Sequence, residues 1–298
     1  MTAAGFIGFG EVASRFSAAL QAHGARVLAF DVLLDRPDGR DVLIRRARGQ
    51  PPDLVPLADL ASRADIVLST VTTNVAVDAA KAAAPLLHRG QIFVDLNATS
   101  PAIKREIASI IDASGADFVE GAILSAVGVM GAKSKVLLCG ARADEVAAAM
   151  SDLGLDFHAY GIEIGRASSF KMLRSVFSKG LEALLVECLL AARRAGIEHD
   201  LWREIVATMD AASFDEVGGN WIRTHATAHG RRYHEMLQVR DVLREFSLDA
   251  PMTEATIRLF ERSNKMALKD AFATTPATTA EVIAALDARI GSSANDKR

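Results

Sequence analysis

The first half of the chain alternates short apolar runs with segments in which apolar residues recur every three or four positions. Short apolar runs bounded by turn residues are typical of buried strands, and the longer period is typical of amphipathic helices. The runs that predict strands cover residues 3–7, 26–30, 66–71, 91–96, 117–123, 135–139 and 156–160. The segments that predict helices include residues 12–20, 76–87, 101–112 and 144–153. This alternation indicates βαβ units, a parallel sheet and right-handed crossovers.

The strand pattern stops after Gly161, and the periodicity from there to Ile290 is helical. We therefore predict an α/β domain over residues 1–162 and an all-α domain over residues 163–298, joined by a long helix. The polar tail from Gly291 is expected to fray. Breaks between the helices of the second domain are expected near Gly196, Gly218-Gly219, Gly230, Pro251 and Pro276.

The predicted connecting helix, from Arg166 to about Ala195, carries one narrow polar stripe. At about 100° per residue, its four polar members share a sector of roughly 60°. Because the rest of the helix is apolar almost all round, we expect it to be buried. The stripe is either the one wet face of the helix or the wall of an interdomain cleft, where a partly buried lysine could serve as a general acid/base. The stripe consists of Lys171, Ser175, Ser178 and Glu182.

Composition narrows the possible functions. The chain has 298 residues, half of them hydrophobic, and a net charge of −3, so about two domains with sizeable cores are expected. We expect no nucleic-acid binding, because no basic stripe with interleaved aromatic residues is present. Apolar runs are interrupted by charge before about 18 residues, so no membrane span is expected. The first strand begins too early to leave room for a signal peptide, which predicts a reducing, cytoplasmic setting.

The two cysteines, Cys139 and Cys188, each sit in an apolar run and are predicted to be small core residues. Histidine and cysteine residues nowhere cluster at the spacing of metal ligands. The sequence therefore predicts no metal site.

A glycine motif, Gly8-Phe9-Gly10-Glu11-Val12-Ala13, joins the first predicted strand to the first predicted helix. Gly8 allows a tight turn, Gly10 lets the backbone approach a pyrophosphate, and Ala13 is small enough for close packing of helix and sheet. The start of the helix then offers N–H groups to an anion. The motif in this context predicts a Rossmann-type dinucleotide-binding domain.

The choice of cofactor depends on Asp31, which ends the second predicted strand. A carboxylate at this point accepts hydrogen bonds from the ribose hydroxyls and repels a 2′-phosphate, which favours NAD. NADP stays possible, because Arg36 and Arg40 follow in the next segment and could bind a 2′-phosphate.

These features resemble the β-hydroxyacid dehydrogenases, the family of 6-phosphogluconate and 3-hydroxyisobutyrate dehydrogenases. Besides the glycine motif, Asp95-Leu-Asn97-Ala-Thr-Ser-Pro101 is similar to the family's D-x-S-T-x-x-P segment. Gly165, Ala167 and Lys171 match the segment that carries the family's catalytic lysine. The resemblance covers essentially the whole chain. The second half looks like a poorly characterised branch with a C-terminal domain similar to that of 6-phosphogluconate dehydrogenase.

The chain departs from the family pattern in three places. Ser175 stands where the family has asparagine, four residues after the lysine. The substrate loop 120–128 keeps its small residues but lacks adjacent glycines. His234-Glu235 replaces the lysine–aspartate pair of the second domain.

The resemblance implies an oxidoreductase that transfers a hydride between NAD(P) and a small hydroxy acid, a carboxylate substrate. It implies Lys171 as the general acid/base and Ser175 as a second catalytic residue that holds the substrate oxygen. The residues expected to bind substrate are Asn97, Ser125, Ala126 and His234. The residues expected to bind the cofactor are Gly8, Phe9, Gly10, Glu11, Val12, Asp31, Val71, Thr72 and Asn97.

Alternatives to this interpretation remain open. An imine reductase would have the same architecture and use NADPH, although such enzymes generally carry Asp or Tyr in place of Lys171. A sensor that keeps the dinucleotide fold without turnover would accommodate the changes at Ser175 and His234. The Ser125-Ala126 pair also leaves room for a bulkier hydroxy acid. The many near-fully apolar helices of the second domain predict a homodimer with a twofold axis.

Overall fold

The structure, a computed structural model, describes residues 3–295, and the side chains of residues 3–291. The chain forms two compact units, one that extends up to Val176 and one that begins at Phe177. Only the first unit contains strands among the described residues, and the last of them ends at Gly161. The Rossmann-type α/β fold of the N-terminal half and the helical C-terminal half are thereby confirmed. The domain boundary between residues 162 and 163 stays a prediction.

The first unit is built on one sheet in the order β3-β2-β1-β4-β5-β6-β7-β8. Strands β1 to β6 are all parallel, β7 is antiparallel to β6, and β8 is parallel to β7. Its strands are β1 (Ala3–Ile7), β2 (Arg26–Phe30), β3 (Asp53–Leu54), β4 (Ile66–Ser69), β5 (Ile92–Asp95), β6 (Asp117–Ile123), β7 (Val136–Cys139) and β8 (Phe157–Gly161).

Helices cover both faces of this sheet. Phe16 and Val146 belong to the apolar cluster on one face, and Leu60 and Ile107 belong to the cluster on the other face. The first face is covered by helices α1, α2, α6 and α7, and the second by α3, α4 and α5. The helices are α1 (Glu11–Ala22), α2 (Gly39–Arg46), α3 (Leu57–Arg63), α4 (Ala76–Ala83), α5 (Pro101–Asp112), α6 (Val127–Met130) and α7 (Ala143–Asp152).

Two details differ from the sequence-based expectation. The sheet is mixed, because residues 124–135 between β6 and β7 form only the short α6 and a 3₁₀ turn instead of a full crossover helix. The sequence pattern does not predict strand β3 or helix α3. Strand β3 has two residues, follows Pro51-Pro52 and lies at the edge of the sheet, where strand signals in sequence are weak.

The second unit is helical throughout its described residues. Helix α8 begins in the first unit and continues into the second. Ser213 and Glu216 form a capping box at the start of α10, and Pro251 occupies the first turn of α11. The predicted tail falls partly inside α12, and residues 296–298 lie outside the described residues. The helices are α8 (Arg166–Ala195), α9 (Glu198–Asp210), α10 (Phe214–Glu245), α11 (Pro251–Lys265) and α12 (Thr279–Asn295).

The expected breaks at Gly218-Gly219 and Gly230 are wrong, because α10 runs through all three glycines. A glycine inside a helix costs about 1 kcal/mol relative to alanine, which tertiary packing can outweigh. Gly230 shows how: a Cβ added there would lie 3.3 Å from Oδ1 of Asn264 on α11, so glycine lets the two helices approach closely.

The expected burial of α8 is not found within the single chain. Leu173 is 70% exposed and Val176 is 73% exposed, although both belong to the apolar part of the helix. An all-round apolar pattern indicates burial without identifying the covering surface. Among the described residues, no helix combines the length and apolarity needed to cross a membrane.

The two cysteines are free thiols. Cys139 is buried in β7, and burial, with a further contribution from Glu120, raises the pKa of its thiol to about 11. Cys188 is half-buried on α8, and burial raises its pKa as well. Raised pKa values suit inert packing residues, because only the thiolate is reactive.

Candidate functional site

The glycine motif forms a tight turn between β1 and α1. Gly8 has a φ of +84°, and a Cβ added there would lie 2.8 Å from Cγ1 of Val71 and 3.0 Å from the carbonyl oxygen of Thr70. The hydroxyl of Thr70 donates to the carbonyl oxygen of Gly8 at 2.7 Å, which ties the turn to the end of β4. Only glycine therefore fits at this position.

Gly10 differs, because its surroundings are open. It precedes α1 without capping it through a side chain, and a Cβ there would meet no heavy atom within 4 Å in the described part of the chain. The first N–H groups of a helix have no partner inside the helix. The backbone at Gly10 therefore leaves room in front of the N–H donors of α1, which fits a phosphate group.

Asp31 is joined to the glycine turn by hydrogen bonds. Its Oδ2 accepts the N–H of Phe9 at 2.9 Å, and its Oδ1 accepts the N–H of Leu33 at 2.9 Å. Each carboxylate oxygen has capacity for a second hydrogen bond. The carboxylate is thus held in place by backbone donors and can still accept hydroxyl groups.

The first unit contains three adjacent cavities, the first of which lies at this turn. The glycine-turn cavity, of about 580 Å³, is bounded by the glycine motif and Asp31. The middle cavity, of about 350 Å³, shares Thr70, Val71 and Thr72 with it. The helix cavity, of about 180 Å³, shares Asn97, Ala98 and Lys171 with the middle cavity. Three neighbouring cavities with shared wall residues therefore lie between Asp31 and α8.

Most of the predicted cofactor residues line these cavities. Besides the two glycines and Asp31, the wall of the glycine-turn cavity includes Val71 and Thr72. Val12 and Asn97 line the middle cavity. The Phe9 side chain is instead fully buried in the core, so this residue reaches the turn only through its backbone. Glu11 is exposed at the start of α1, 3.7 Å from Arg15.

An arginine that sequence reasoning missed, Arg46 of α2, also lines the glycine-turn cavity. Its guanidinium lies 3.5 Å from the carbonyl oxygen of Phe9. Arg36 and Arg40 do not line this cavity, and Arg40 donates to the carbonyl oxygen of Leu54 instead. Residues 36–48 contain five arginines, and only the fold shows that Arg46 is the one that lines the cavity.

Lys171 and Ser175 lie one turn apart on α8, and both line the helix cavity. The Ser175 hydroxyl donates to the carbonyl oxygen of Lys171 at 3.0 Å. The helix start is fixed by Glu120 of β6, which is fully buried and accepts N–H groups from Gly165 at 2.5 Å and Ser168 at 2.7 Å. A carboxylate at a helix N-terminus is favourable because it complements the helix dipole.

The predicted substrate residues are distributed over both units. Asn97 is buried after β5 and lines the middle and helix cavities, and Ser125 lines the middle cavity. Ala126 is exposed just before α6 and lines none of the three cavities. His234 lies on α10 in the second unit, with its ring 5.2 Å from that of Tyr233. Within residues 3–295, no cluster of three or more His, Cys, Asp or Glu side chains could hold a metal ion.

Comparison with known protein families identifies the family of the N-terminal half. The family model for the NAD-binding domain of 6-phosphogluconate dehydrogenase matches residues 3–154, more than half of the chain. The chain belongs to this family. A second model, a domain of unknown function (DUF1932), matches residues 192–263 of the helical half. The predicted relationship to the hydroxyacid dehydrogenases, in a branch that is not characterised, is thereby confirmed.

Similar proteins of this family include both named enzymes and uncharacterised chains. An uncharacterised 28.5 kDa protein of Methanothermus fervidus is 29% identical over 262 residues, which is 86% of this chain and 97% of that protein. The mitochondrial 3-hydroxyisobutyrate dehydrogenase of Homo sapiens is 27% identical over 157 residues. This match spans 51% of the chain but only 45% of the human enzyme.

Solved structures show the same fold. A conserved hypothetical protein of Sinorhizobium meliloti is 33% identical, with a TM-score of 0.62 and 97% of both chains covered. An imine reductase variant of Myxococcus stipitatus, in complex with NAD⁺, has a TM-score of 0.75 over 89% of this chain and 94% of its own. At 18% identity, the latter similarity concerns the fold alone.

Proposed function

We propose that this protein is a nicotinamide-dependent oxidoreductase that moves a hydride between NAD(P) and a small hydroxy acid, with Lys171 as the general acid/base. The observation that carries this proposal is the series of cavities from Asp31 to Lys171. It connects a dinucleotide-binding turn to a lysine and a serine within a single compact unit. A dinucleotide bound in these cavities would extend from Asp31, which contacts the adenosine ribose, to Lys171 and Ser175, which contact the substrate.

The residues of the first two cavities fit a dinucleotide. The open space at Gly10 suits the pyrophosphate, and the Asp31 oxygens suit the hydroxyls of the adenosine ribose. Apolar residues such as Val75 and Ala79 supply a surface for the adenine ring. When bound, the nicotinamide supplies hydride chemistry that no side chain can provide. We favour NAD on the charge of Asp31, with NADP as the alternative because Arg46 lines the same cavity.

Oxidation of an alcohol releases a hydride from carbon and a proton from oxygen. In this proposal the Nζ of Lys171 accepts the proton from the substrate hydroxyl, and it returns a proton in the reverse direction. Ser175 lines the helix cavity and holds the substrate oxygen, while Ser125 contacts the substrate carboxylate from the middle cavity. Asn97 lines both cavities and is proposed as a contact to the bound ligand. His234 is proposed as a further substrate contact from the second unit.

An imine reductase activity is the second candidate. The solved structures with this fold include imine reductases, and Ser175 departs from the hydroxyacid dehydrogenase pattern. Lys171 favours the hydroxy acid, because a lysine is suited to exchange a proton with an alcohol oxygen. A dinucleotide sensor without turnover is a third, separate class.

A homodimer is also proposed. The described part of the helical unit exposes several large apolar side chains, and the solvent-exposed surface of a monomeric protein rarely carries a large apolar patch. Trp221 is 50% exposed, Phe214 is 51% exposed and Trp202 is 44% exposed. Burial of these side chains between two copies would remove the exposed apolar surface. The substrate and dimerisation roles are assigned to the domain over residues 163–298.

The first experiment is a calorimetric titration of the full chain with NADH and with NADPH. We expect one of them to bind with a Kd in the micromolar range, as typical cofactor sites do. Turnover is then followed with the better dinucleotide, in its oxidised form on 3-hydroxyisobutyrate and 3-hydroxypropionate and in its reduced form on a cyclic imine. Binding of neither dinucleotide would overturn the proposal, and turnover of the imine alone would replace it by the second candidate.

Lys171→Ala tests the assigned role directly. We expect this substitution to lower kcat on the hydroxy acid at least 100-fold, a magnitude typical of general acid/base catalysis. The Kd of the cofactor should stay nearly unchanged. Lys179→Ala is the matched control, because Lys179 lies two turns later on α8 and lines none of the three cavities. Equal effects of the two substitutions would contradict the role of Lys171.

A further inference from the structure

A buried ion pair lies behind the cavities. Nζ of Lys104 is 2.8 Å from Oδ2 of Asp95, and both side chains are 0% exposed. The same Nζ donates to the carbonyl oxygens of Asp95 at 2.7 Å and Gly121 at 3.2 Å. Neither side chain takes part in the proposed reaction. Burial of an ion pair often adds little net stability, so a gain in stability alone does not account for this pair.

The pair is connected to the cavities through Asn97. The side-chain Nδ2 of Asn97 donates to Oδ1 of Asp95 and to the hydroxyl of Ser69, the latter at 2.9 Å. In its ion pair with Lys104, the Asp95 carboxylate offers acceptor oxygens only. The amide of Asn97 must therefore present its NH₂ group to Asp95, and its oxygen is turned away from the pair.

The oxygen so oriented lacks a partner. Oδ1 of Asn97 is buried, and no donor of residues 3–291 forms a hydrogen bond with it. A buried carbonyl oxygen without a donor destabilises the folded chain, and a ligand that brings a donor removes that penalty. Asn97 lines both the middle and the helix cavity, so a ligand that occupies either comes next to it.

We propose that Lys104 and Asp95 are positioning residues that hold Asn97 as a hydrogen-bond acceptor for the nicotinamide-riboside half of the cofactor. The inference rests on the proposed function, because it requires a dinucleotide that extends from the glycine-turn cavity into the middle cavity. This half of the cofactor carries two kinds of donor, the ribose hydroxyls and the carboxamide NH₂. Without the charge on Asp95, the amide of Asn97 could turn over and present its NH₂ to the ligand.

The test compares ligands that add these donors one step at a time. ADP, ADP-ribose, reduced 3-acetylpyridine adenine dinucleotide and NADH are titrated into the full chain by calorimetry. ADP lacks the second ribose, ADP-ribose adds its hydroxyls, and the acetylpyridine compound lacks only the carboxamide NH₂. The variants are Asn97→Ala and the double variant Asp95→Asn with Lys104→Met. The double variant removes both charges together, because removal of one alone would leave an unpaired buried charge.

We expect ADP to bind equally to the wild type and both variants. In both variants the affinity is then expected to fall roughly 3- to 10-fold relative to the wild type, the contribution of one hydrogen bond. This loss first appears at one ligand of the series and is absent for the smaller ligands. The loss of affinity first appears with ADP-ribose if a ribose hydroxyl donates to Asn97. It appears only with NADH if the carboxamide NH₂ is the donor. A structural role alone would weaken ADP and NADH by the same factor. Thermal melts establish that the variants are folded.

Substitution of an exposed ion pair, Arg63→Met with Asp53→Asn, serves as the control. This variant should bind each of the four ligands with the affinity of the wild type. If the double variant shows no step-specific loss, or the same loss already with ADP, the positioning role is overturned while the proposed function stands. If the wild type binds none of ADP, NADH and NADPH, the proposed function and this inference are overturned together.

Discussion

The carboxylate of Glu120 accepts the backbone N–H of Ser168 at 2.7 Å, although the two residues are 48 positions apart in the chain. It also accepts the N–H of Gly165 and the hydroxyl of Ser168. This fully buried side chain connects the central sheet to the first turn of the helix that carries Lys171. The position of Lys171 relative to the cavities therefore depends on Glu120.

Glu120→Gln is expected to destabilise the chain by about 1–3 kcal/mol, the cost of leaving a buried donor without its acceptor. Glutamine keeps one oxygen, but its NH₂ group would face a backbone N–H that needs an acceptor. Equilibrium unfolding followed by circular dichroism measures the change. Glu106→Gln, at an exposed position of α5, is the control. Equal stability of the two variants would show that Glu120 does not anchor the helix.

Asp31 and Arg46 face the same cavity with opposite charges and are expected to act oppositely on cofactor choice. Asp31→Ala should weaken NADH binding by roughly 10-fold or more and relax the discrimination against NADPH, because hydrogen bonds to a charged group contribute about 1.5–3 kcal/mol. Arg46→Ala should weaken NADPH binding and leave NADH nearly unchanged. Calorimetric titration with both dinucleotides gives the ratio of the NADH and NADPH affinities for each of the two variants.

Arg45→Ala is the matched control for Arg46, since Arg45 is an exposed neighbour on α2 that does not line the cavity. An NADH-to-NADPH preference that Asp31→Ala leaves unchanged would contradict the assignment of Asp31.

The fold and the first part of the site could be predicted because their signals are local. Strand period, turn glycines and the acid at the end of β2 all occur within about 25 residues, and each follows from the backbone geometry that its turn requires. The contacts that complete the site are not local. Arg46 reaches the cavity through the placement of α2, and Glu120 meets Ser168 only after the sheet has formed.

Two further features depend on packing that the sequence does not state. The apolar pattern of α8 indicates a covered helix, but Leu173 and Val176 are exposed in the single chain. Glycines usually weaken a helix, but Gly230 allows α10 to approach Asn264 of α11. Both expectations failed because the local pattern does not specify the partner surface that decides the outcome.

The pH dependence of the helical unit is expected to depend on His225. Its Nε2 lies 2.9 Å from the hydroxyl of Ser263, and its ring centre is 5.3 Å from that of Phe260. Burial, together with the smaller contributions of the nearby charges of His229 and Arg232, lowers the pKa of His225 to about 4. The folded chain therefore keeps this histidine neutral at a pH where the unfolded chain protonates it.

Stability from His225 is thus complete above pH 6.5, the ordinary value for histidine, and is lost as the pH falls toward 4. The loss from this one group approaches at most about 1.4 kcal/mol per pH unit. His225→Gln should make urea unfolding less sensitive to pH between 7 and 5. Both tryptophans of the chain, Trp202 and Trp221, lie in the helical unit, so their fluorescence reports its unfolding. His199→Gln, at an exposed site of α9, should keep the wild-type dependence, and an unchanged slope in His225→Gln would assign the acid sensitivity to other groups.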